Sequence, residues 1–243
     1  MSLQLWPIHH LPEVQPGMDL AELLRVGIQE SGFATESQDI IAVTQKIVSK
    51  AEGRIVYLAD VQPSPEATAI ARQSRKDARL VEVILRETKR LVRIRGEVLI
   101  CETHHGFICA NAGVDRSNVG GGEVVTLLPE RPDRSARQLA RALGCGVIMT
   151  DTFGRPWREG LLDVAIGVGR VPLFVDFRGT PDTMGYPLQA TNLAAVDALA
   201  AAAGLVMGKT SNTPAALIRG LSWEESNNTI DAILRTAEED LFL

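Results

Sequence analysis

The spacing of apolar positions changes repeatedly along the chain, and each change marks an expected element. "LQLWPI" near the start is a short apolar run closed by Pro7 and predicts a strand. "DLAELLRVGIQ" moves to helical spacing, with Asp19 placed to cap it. Residues 39–49, "DIIAVTQKIVS", are apolar and β-branched and predict an interior strand, which runs on to a turn at Gly53. Pro63 and Pro65 open a helical stretch reaching to Arg90 with one break. Its second half is amphipathic through Leu80, Val83, Ile84 and Leu91.

Short strands in "LVRI", "EVLICET" and "GFICANA" come next, then the glycine run Gly120–Gly122. "SARQLARALG" predicts a helix capped by Ser135 and stopped by Gly144. "CGVIMTDT" and "DVAIGVG" predict strands, and a Pro/Gly-rich segment follows from Thr180 to Pro187. "LAAVDALAAAAGLVMG" predicts a buried alanine-rich helix, too short to span a bilayer and interrupted by Asp197. "TPAALIRG" predicts a further strand and residues 228–241 a C-terminal helix. Strands and helices mix without a regular βαβ alternation, which predicts an α+β fold with a partly antiparallel sheet. The 243 residues suit one domain with room for two lobes.

Composition excludes little but orders the choices. Hydrophobic residues at 45% and charged residues at 23% are ordinary for a soluble globular protein. A net charge of -5 argues against nucleic acid or an anionic membrane as the main partner, while allowing a local basic pocket for phosphates. Three cysteines, an odd number, build no disulfide framework, which fits a reducing cytoplasm. The N-terminus has no basic segment followed by an apolar run, so no signal peptide is expected.

The conspicuous chemistry is "CETHHGFIC", but a zinc site wants about four ligands in paired spacings. Cys101 and His104 are three apart and no second pair exists, so the cysteines read as small buried apolar residues. Harder ligands follow. Asp115 and Asn118 in "NAGVDRSN", and Asp151 between Thr150 and Thr152 in "MTDTFGR", each come directly after an apolar strand. Carboxylates so placed, with hydroxyl and amide neighbours, can supply the oxygen ligands that Mg²⁺ or Mn²⁺ prefers. Turn and cap roles explain the same aspartates as well.

Arg155 and Arg158 follow Asp151 closely, either for a site holding a metal and an anion together or as surface ion pairs. "MGKTSN", residues 207–212, has Gly-Lys-Thr without the spacing of a P-loop, and follows an expected helix rather than a strand. A backbone-rich loop that brings Lys209 near phosphates is what remains. "TQKIVSKAEG" places Thr44, Gln45, Lys46, Ser49 and Lys50 along or just past an apolar strand, where lysines want an anion.

Taken in order, "VSKAEG", "ANAGVDRSNV", "TDTFGR" with "REG" and "AIGVG", and "LVMGK…PAALIRG" resemble the coenzyme F-420 γ-glutamyl ligase family. The resemblance runs from "PIHHLP" to "RGL", and the pairing of "NAGVDRSN" with "TDTFGRPWREG" makes it specific. It implies a mixed α+β fold particular to the family, a homodimer, and a GTP-dependent ligase. The implied reaction joins L-glutamate through its amine to the terminal carboxylate of F-420-0, a deazaflavin with a phospholactate tail. Further γ-linked glutamates can follow. Mg²⁺ or Mn²⁺, as one or two ions, and K⁺ as a helper are implied as well.

Position by position, the resemblance implies metal binding at Asp115 and Asp151, with Thr152 at a second ion. It implies nucleotide contacts at His9, His10, Leu11 and Pro12, at Thr44, Gln45, Ser49 and Lys50, and at Asn118. The last nucleotide segment is Met207, Gly208, Lys209, Thr210, Ser211 and Asn212. Charge balance during phosphoryl transfer then falls to Arg155, Arg158 and Lys50.

One departure stands out. Some members carry an acidic metal ligand where this chain has Lys209, and a protonated lysine is donor-only. Two other readings stay open: the same ligation on a folate-like acceptor, and a nucleotide-binding protein without catalysis, which Lys209 favours. Few aromatics are available for stacking on a deazaflavin, and Trp157 is the nearest tryptophan in sequence to the aspartates.

Overall fold

A computed structural model of the chain describes residues 2–119 and 123–240. The glycine run Gly120–Gly122 lies outside the described residues. β1 (Gln4–Pro7) leads through a loop to α1 (Leu20–Glu30), where the Asp19 carboxylate accepts from the Glu22 N–H as expected of a cap. β2 (Ile40–Thr44) then passes without a loop into α2 (Gln45–Ala51). After β3 (Ile55–Tyr57), the expected long helix is two: α3 (Pro65–Ser74) and α4 (Ala78–Arg86). They break at Arg75, whose φ of 56° is left-handed. β4 (Thr88–Arg95), β5 (Val98–Thr103), β6 (Ile108–Ala110) and β7 (Val124–Thr126) follow. The second half holds α5 (Pro132–Leu143), β8 (Gly146–Arg155), β9 (Arg158–Gly169), β10 (Val175–Asp176), β11 (Asn192–Leu193), α6 (Ala195–Met207) and β12 (Ala215–Arg219).

The main sheet has the order β1-β12-β2-β8-β9. Only β2 and β8 are parallel; the other neighbours run antiparallel. β4, β5 and β6 form a separate antiparallel sheet, and β3 with β7 and β10 with β11 form ribbons. The fold is therefore α+β, as the irregular order of elements predicts. One buried cluster surrounds the main sheet, and a second lies among α3, α4, β5 and the segment around Val114 and Val125.

β9 takes two helices. A bulge, where Met149 faces Gly167 but Thr150 faces Ala165, divides it. Before the bulge, Asp163 meets α6 at Gly204; after it, Gly167 and Gly169 meet α5. A Cβ on Gly169 would stand 2.4 Å from the Ala136 carbonyl oxygen, so the helix reaches the strand only over glycine.

Three expectations differ from the structure. The strand expected over residues 39–49 ends at Thr44, and Gln45 starts a helix. Ile40–Val43 are buried, and so are Gln45 and Ile47–Lys50, and burial on nearly every side hides the change of period. α5 starts at Pro132, not at a Ser135 cap; proline suits the first helical turn, and the Ser135 hydroxyl instead meets Glu52. The helix expected over 228–241 is, among the described residues, a single 3-10 turn at Ile230–Ile233. Its Ile230 N–H is taken by Asp133, and Ile230, Ile233 and Leu234 pack on the main core, which fixes the segment by anchoring rather than by helical propensity. Among the described residues no helix is long and apolar enough to cross a membrane.

Candidate active site

Parallel pairing of β2 and β8 sets Thr44 opposite Thr150, so Gln45 and Asp151 arrive at the same edge of the sheet. Three loops close round that edge: residues 11–14 after β1, residues 115–118 after β6, and residues 208–213 between α6 and β12. They enclose a cleft of about 740 Å³, and small-molecule sites typically fall between about 300 and 1,000 Å³.

Because residues 45–51 are helical, Lys46 and Lys50 lie one turn apart and reach into the cleft from the same side. Lys46 Nζ pairs with the Asp115 carboxylate and donates to the Ser117 carbonyl at 2.7 Å and to Ser117 Oγ at 2.5 Å. Lys50 Nζ pairs with Glu13 and donates to the Asn118 carbonyl at 2.6 Å. Asp115 also accepts from the Ser117 N–H at 2.7 Å, and Asn118 is left-handed with φ 56°. The "VDRSN" loop is thus a tight turn clamped by two lysines.

Two of the cleft's three aspartates, Asp115 and Asp151, differ in charge environment. Burial pushes the Asp115 carboxyl up, but hydrogen bonds from Lys46 and Ser117 outweigh it and hold the group below the ordinary range. Burial lifts Asp151 to about 6, and the Asp115 charge adds to the rise against a backbone hydrogen bond at Thr152. Among the described residues Asp151 has no ion-pair partner, while Asp115, Glu13 and Asp163 each have a lysine.

Of the residues singled out in the sequence, the cleft gathers Leu11, Pro12, Thr44, Gln45, Lys50, Asp115, Asn118, Asp151, Thr152 and Gly208 to Asn212. His9 and His10 stand before the lining loop, and the His9 N–H is held by Ser31 Oγ. Ser49 is buried against Gln45, and Met207 is buried at the end of α6. Arg155 and Arg158 face each other at the outer end of the β8–β9 hairpin, with Trp157 between them, and do not line the cleft. Lys46, singled out with Lys50 as a lysine wanting an anion but given no role in nucleotide or metal binding, also lines the cleft, while Glu13 and Asp163 are not marked by the sequence. Lys46 carried a signal in its four-residue spacing from Lys50; Glu13 and Asp163 carried none.

The soft ligands take no part. Cys101 and Cys109 face each other across β5 and β6, both buried, and burial pushes the Cys109 thiol up to about 12. His104 and His105 sit in the turn between these strands and bind the backbone carbonyls of Arg86 and Pro129.

Among the described residues no group of three or more His, Cys, Asp or Glu side chains gathers to hold a metal. Asp115 and Asp151 nevertheless suit one divalent ion. They are two nearby carboxylates, one of them held unwillingly charged, and the buried Thr150 Oγ1, in the lining of the same cleft, has no partner among the described residues. Thr152 does not suit a second ion. Its hydroxyl donates to Asp163 Oδ1 at 2.5 Å and accepts from Lys209 Nζ at 2.8 Å, and the same ammonium holds Asp163 Oδ1 at 2.7 Å.

Comparison with known proteins agrees with the motifs. The model of the family described as F420-0:Gamma-glutamyl ligase matches residues 9–220. A protein of Methanopyrus kandleri named coenzyme F420:L-glutamate ligase is 45% identical over 252 residues, covering 99% of this chain and 98% of its own. A protein of the same name from Methanothermobacter thermautotrophicus is 42% identical over 251 residues, covering 100% and 99%. Another, from Natronomonas pharaonis, is 40% identical over 238 residues, covering 95% and 91%. With a match spanning the cleft, both aspartate motifs and four of the five strands of the main sheet, all but β1, the chain belongs to the F420-0:gamma-glutamyl ligase family.

Proposed function

We propose that the protein is a GTP-dependent ligase that joins L-glutamate, through its amine, to the terminal carboxylate of coenzyme F-420-0, with γ-linked glutamates added afterwards. Family membership supports the acceptor and the amino acid. The observation that carries the mechanism is the cleft itself, where the Asp115 and Asp151 carboxylates meet Lys46 and Lys50 of α2 and a glycine-hinged loop, with no Ser–His or Cys–His pair among the described residues that line it.

A carboxylate is a poor acyl donor, so the acceptor carboxylate first takes the γ-phosphoryl group of GTP and GDP leaves. The glutamate amine then attacks the acyl phosphate carbon, loses a proton, and expels phosphate. Phosphoryl transfer asks for positioning and charge neutralisation rather than a covalent protein group. Asp115 and Asp151 would hold Mg²⁺ or Mn²⁺, which supplies charge neutralisation on the phosphates when bound. Lys50, fixed by Glu13 and the Asn118 carbonyl, presents its charge beside the turn that carries Asn118. Lys46, which neutralises Asp115 in this structure, is free to turn toward a phosphate oxygen when that carboxylate is otherwise engaged. The loop from Gly208 to Asn212 offers backbone N–H groups, with left-handed residues at both ends (φ 64° and 53°) shaping it.

Arg155 and Arg158 stand on the outer end of the β8–β9 hairpin, beside Trp157 and Leu161, which are largely exposed. In the homodimer we propose, that end packs on the partner, and the arginines act there rather than in their own chain's cleft. Purified protein incubated with F-420-0, glutamate, GTP and Mn²⁺ is expected to give a product one glutamyl residue heavier by mass spectrometry. ATP in place of GTP, and a folate-like acceptor in place of F-420-0, test the two specificities separately. Absence of any heavier product with metal and K⁺ supplied would overturn the proposal.

A further inference from the structure

The cleft's charges do not call for two metal ions. We infer that the Lys209 ammonium is a built-in cation at Thr152 and Asp163, and that the cleft therefore takes one divalent ion per chain, at Asp115 and Asp151. The inference rests on the reading of the cleft as a nucleotide and metal site, and concerns what this chain has placed where a second ion would be bound.

Asp163 is the anchor. It is 5% exposed, sits directly opposite Thr152 in the β8–β9 ladder, and is backed by Gly204 of α6. A Cβ at Gly204 would lie 2.2 Å from Asp163 Oδ2, so the carboxylate occupies space that only glycine leaves open. A buried carboxylate needs a cation and hydrogen bonds, or it loses its charge. Asp163 Oδ1 receives both: the Thr152 hydroxyl at 2.5 Å and Lys209 Nζ at 2.7 Å. Lys209 Nζ also donates to Thr152 Oγ1 at 2.8 Å, closing a three-membered ring of contacts. The Thr152 hydroxyl donates to Asp163 and accepts from Lys209, so the one lone pair it has left lies beside an ammonium, where a second cation is repelled.

The count of charges points the same way. Lys46 is on Asp115, Lys50 on Glu13 and Lys209 on Asp163. That leaves Asp151, among the described residues lining the cleft, as the carboxylate with no lysine. One divalent ion shared by Asp151 and Asp115 meets this need and releases Lys46 for a phosphate. A second ion would have to approach a position already holding a positive charge and would find only one carboxylate there. Lys209 is a compact point charge with three N–H donors. Two are committed to Asp163 and Thr152, and the third remains for a phosphate oxygen.

The test is a count of bound Mn²⁺ on the full chain saturated with a non-hydrolysable GTP analogue, by equilibrium dialysis with electron paramagnetic resonance of the free ion. One ion per chain is expected. Two ions on the wild-type chain would overturn the inference while leaving the metal reading intact. No retained ion would overturn the metal reading and the inference with it. Lys209→Glu, which exchanges the ammonium for a carboxylate beside Asp163, is expected to raise the count from one to two. Lys209→Gln, which removes the charge with little change of shape, is expected to gain the second ion more weakly and covers failure of the first variant to fold. A folded variant that stays at one ion would overturn the role given to Lys209.

Discussion

Asp115 and Asp151 are chemically alike, yet one is neutralised by Lys46 and the other is pushed up to about 6 by burial and by its neighbour. A carboxylate kept under such stress is what an ion-binding site exploits, because relief comes only with the ligand. Asp151→Asn keeps the size of the side chain and removes the charge. It is expected to lower kcat/KM for glutamyl transfer by about a hundredfold or more, the range seen when one transition-state electrostatic contact is lost. The melting temperature without metal should not fall, since an unpaired charge is removed. Steady-state assay and thermal melts of the same preparation check both, and turnover at the wild-type level would exclude Asp151 from the chemistry.

Elements show where the sequence was readable and where it was not. β8 is legible because its apolar run meets the polar cluster around Asp151, and β9 because its apolar run follows Asp163; the motifs at Asp115, after β6, and at Asp151, in β8, mark the cleft. α2 is not, since a helix buried on nearly all sides carries no polar stripe to reveal its period. Glu13 and Asp163 were invisible for another reason: their partners, Lys50 and Lys209, lie 37 and 46 residues away, and nothing local marks either. The packing of α5 on β9 depends on small residues in the same non-local way. Gly169→Ala would drive a Cβ against the Ala136 carbonyl and is expected to destabilise the fold by about 1–3 kcal/mol, as overpacking does. Urea denaturation checks it, and an unchanged midpoint would mean that the helix is free to move away.

α6 carries a separate prediction. Burial lifts the Asp197 carboxyl above its ordinary 3.8, against the hydrogen bond from the Ala165 N–H at 3.0 Å. Just above the ordinary carboxylate range, the folded chain thus keeps a proton that the unfolded chain has released. The stability linked to this group is greatest in acid and falls as pH rises through that window. Asn at this position keeps an acceptor for Ala165 and carries no charge. Asp197→Asn should therefore gain on the wild type between pH 4 and pH 7 in thermal melts. A constant difference across that range would remove the carboxyl as the cause.

For the whole molecule, the open question is what covers the outer half of the β8–β9 hairpin. From Arg158 to Leu162 every residue of β9 is exposed, and Trp157 and Leu161 at the turn and strand are 76% and 70% exposed. Two large apolar side chains on one protruding hairpin are unusual unless something packs on them. Leu161 also lines the cleft, so whatever packs there stands at the cleft's mouth and receives Arg155 and Arg158 from the same hairpin. A second copy of the chain fits the proposed homodimer, because a two-fold interface would place each hairpin beside the other chain's site. Sedimentation equilibrium is expected to give a mass twice the 26.3 kDa of one chain. Trp157→Asp combined with Leu161→Asp should return the mass to that of a single chain, with the far-ultraviolet circular dichroism of the fold retained. A wild-type monomer would remove the dimer. A doubly substituted dimer would move its interface away from the hairpin, and with it the reason for expecting the two arginines to serve a neighbouring site.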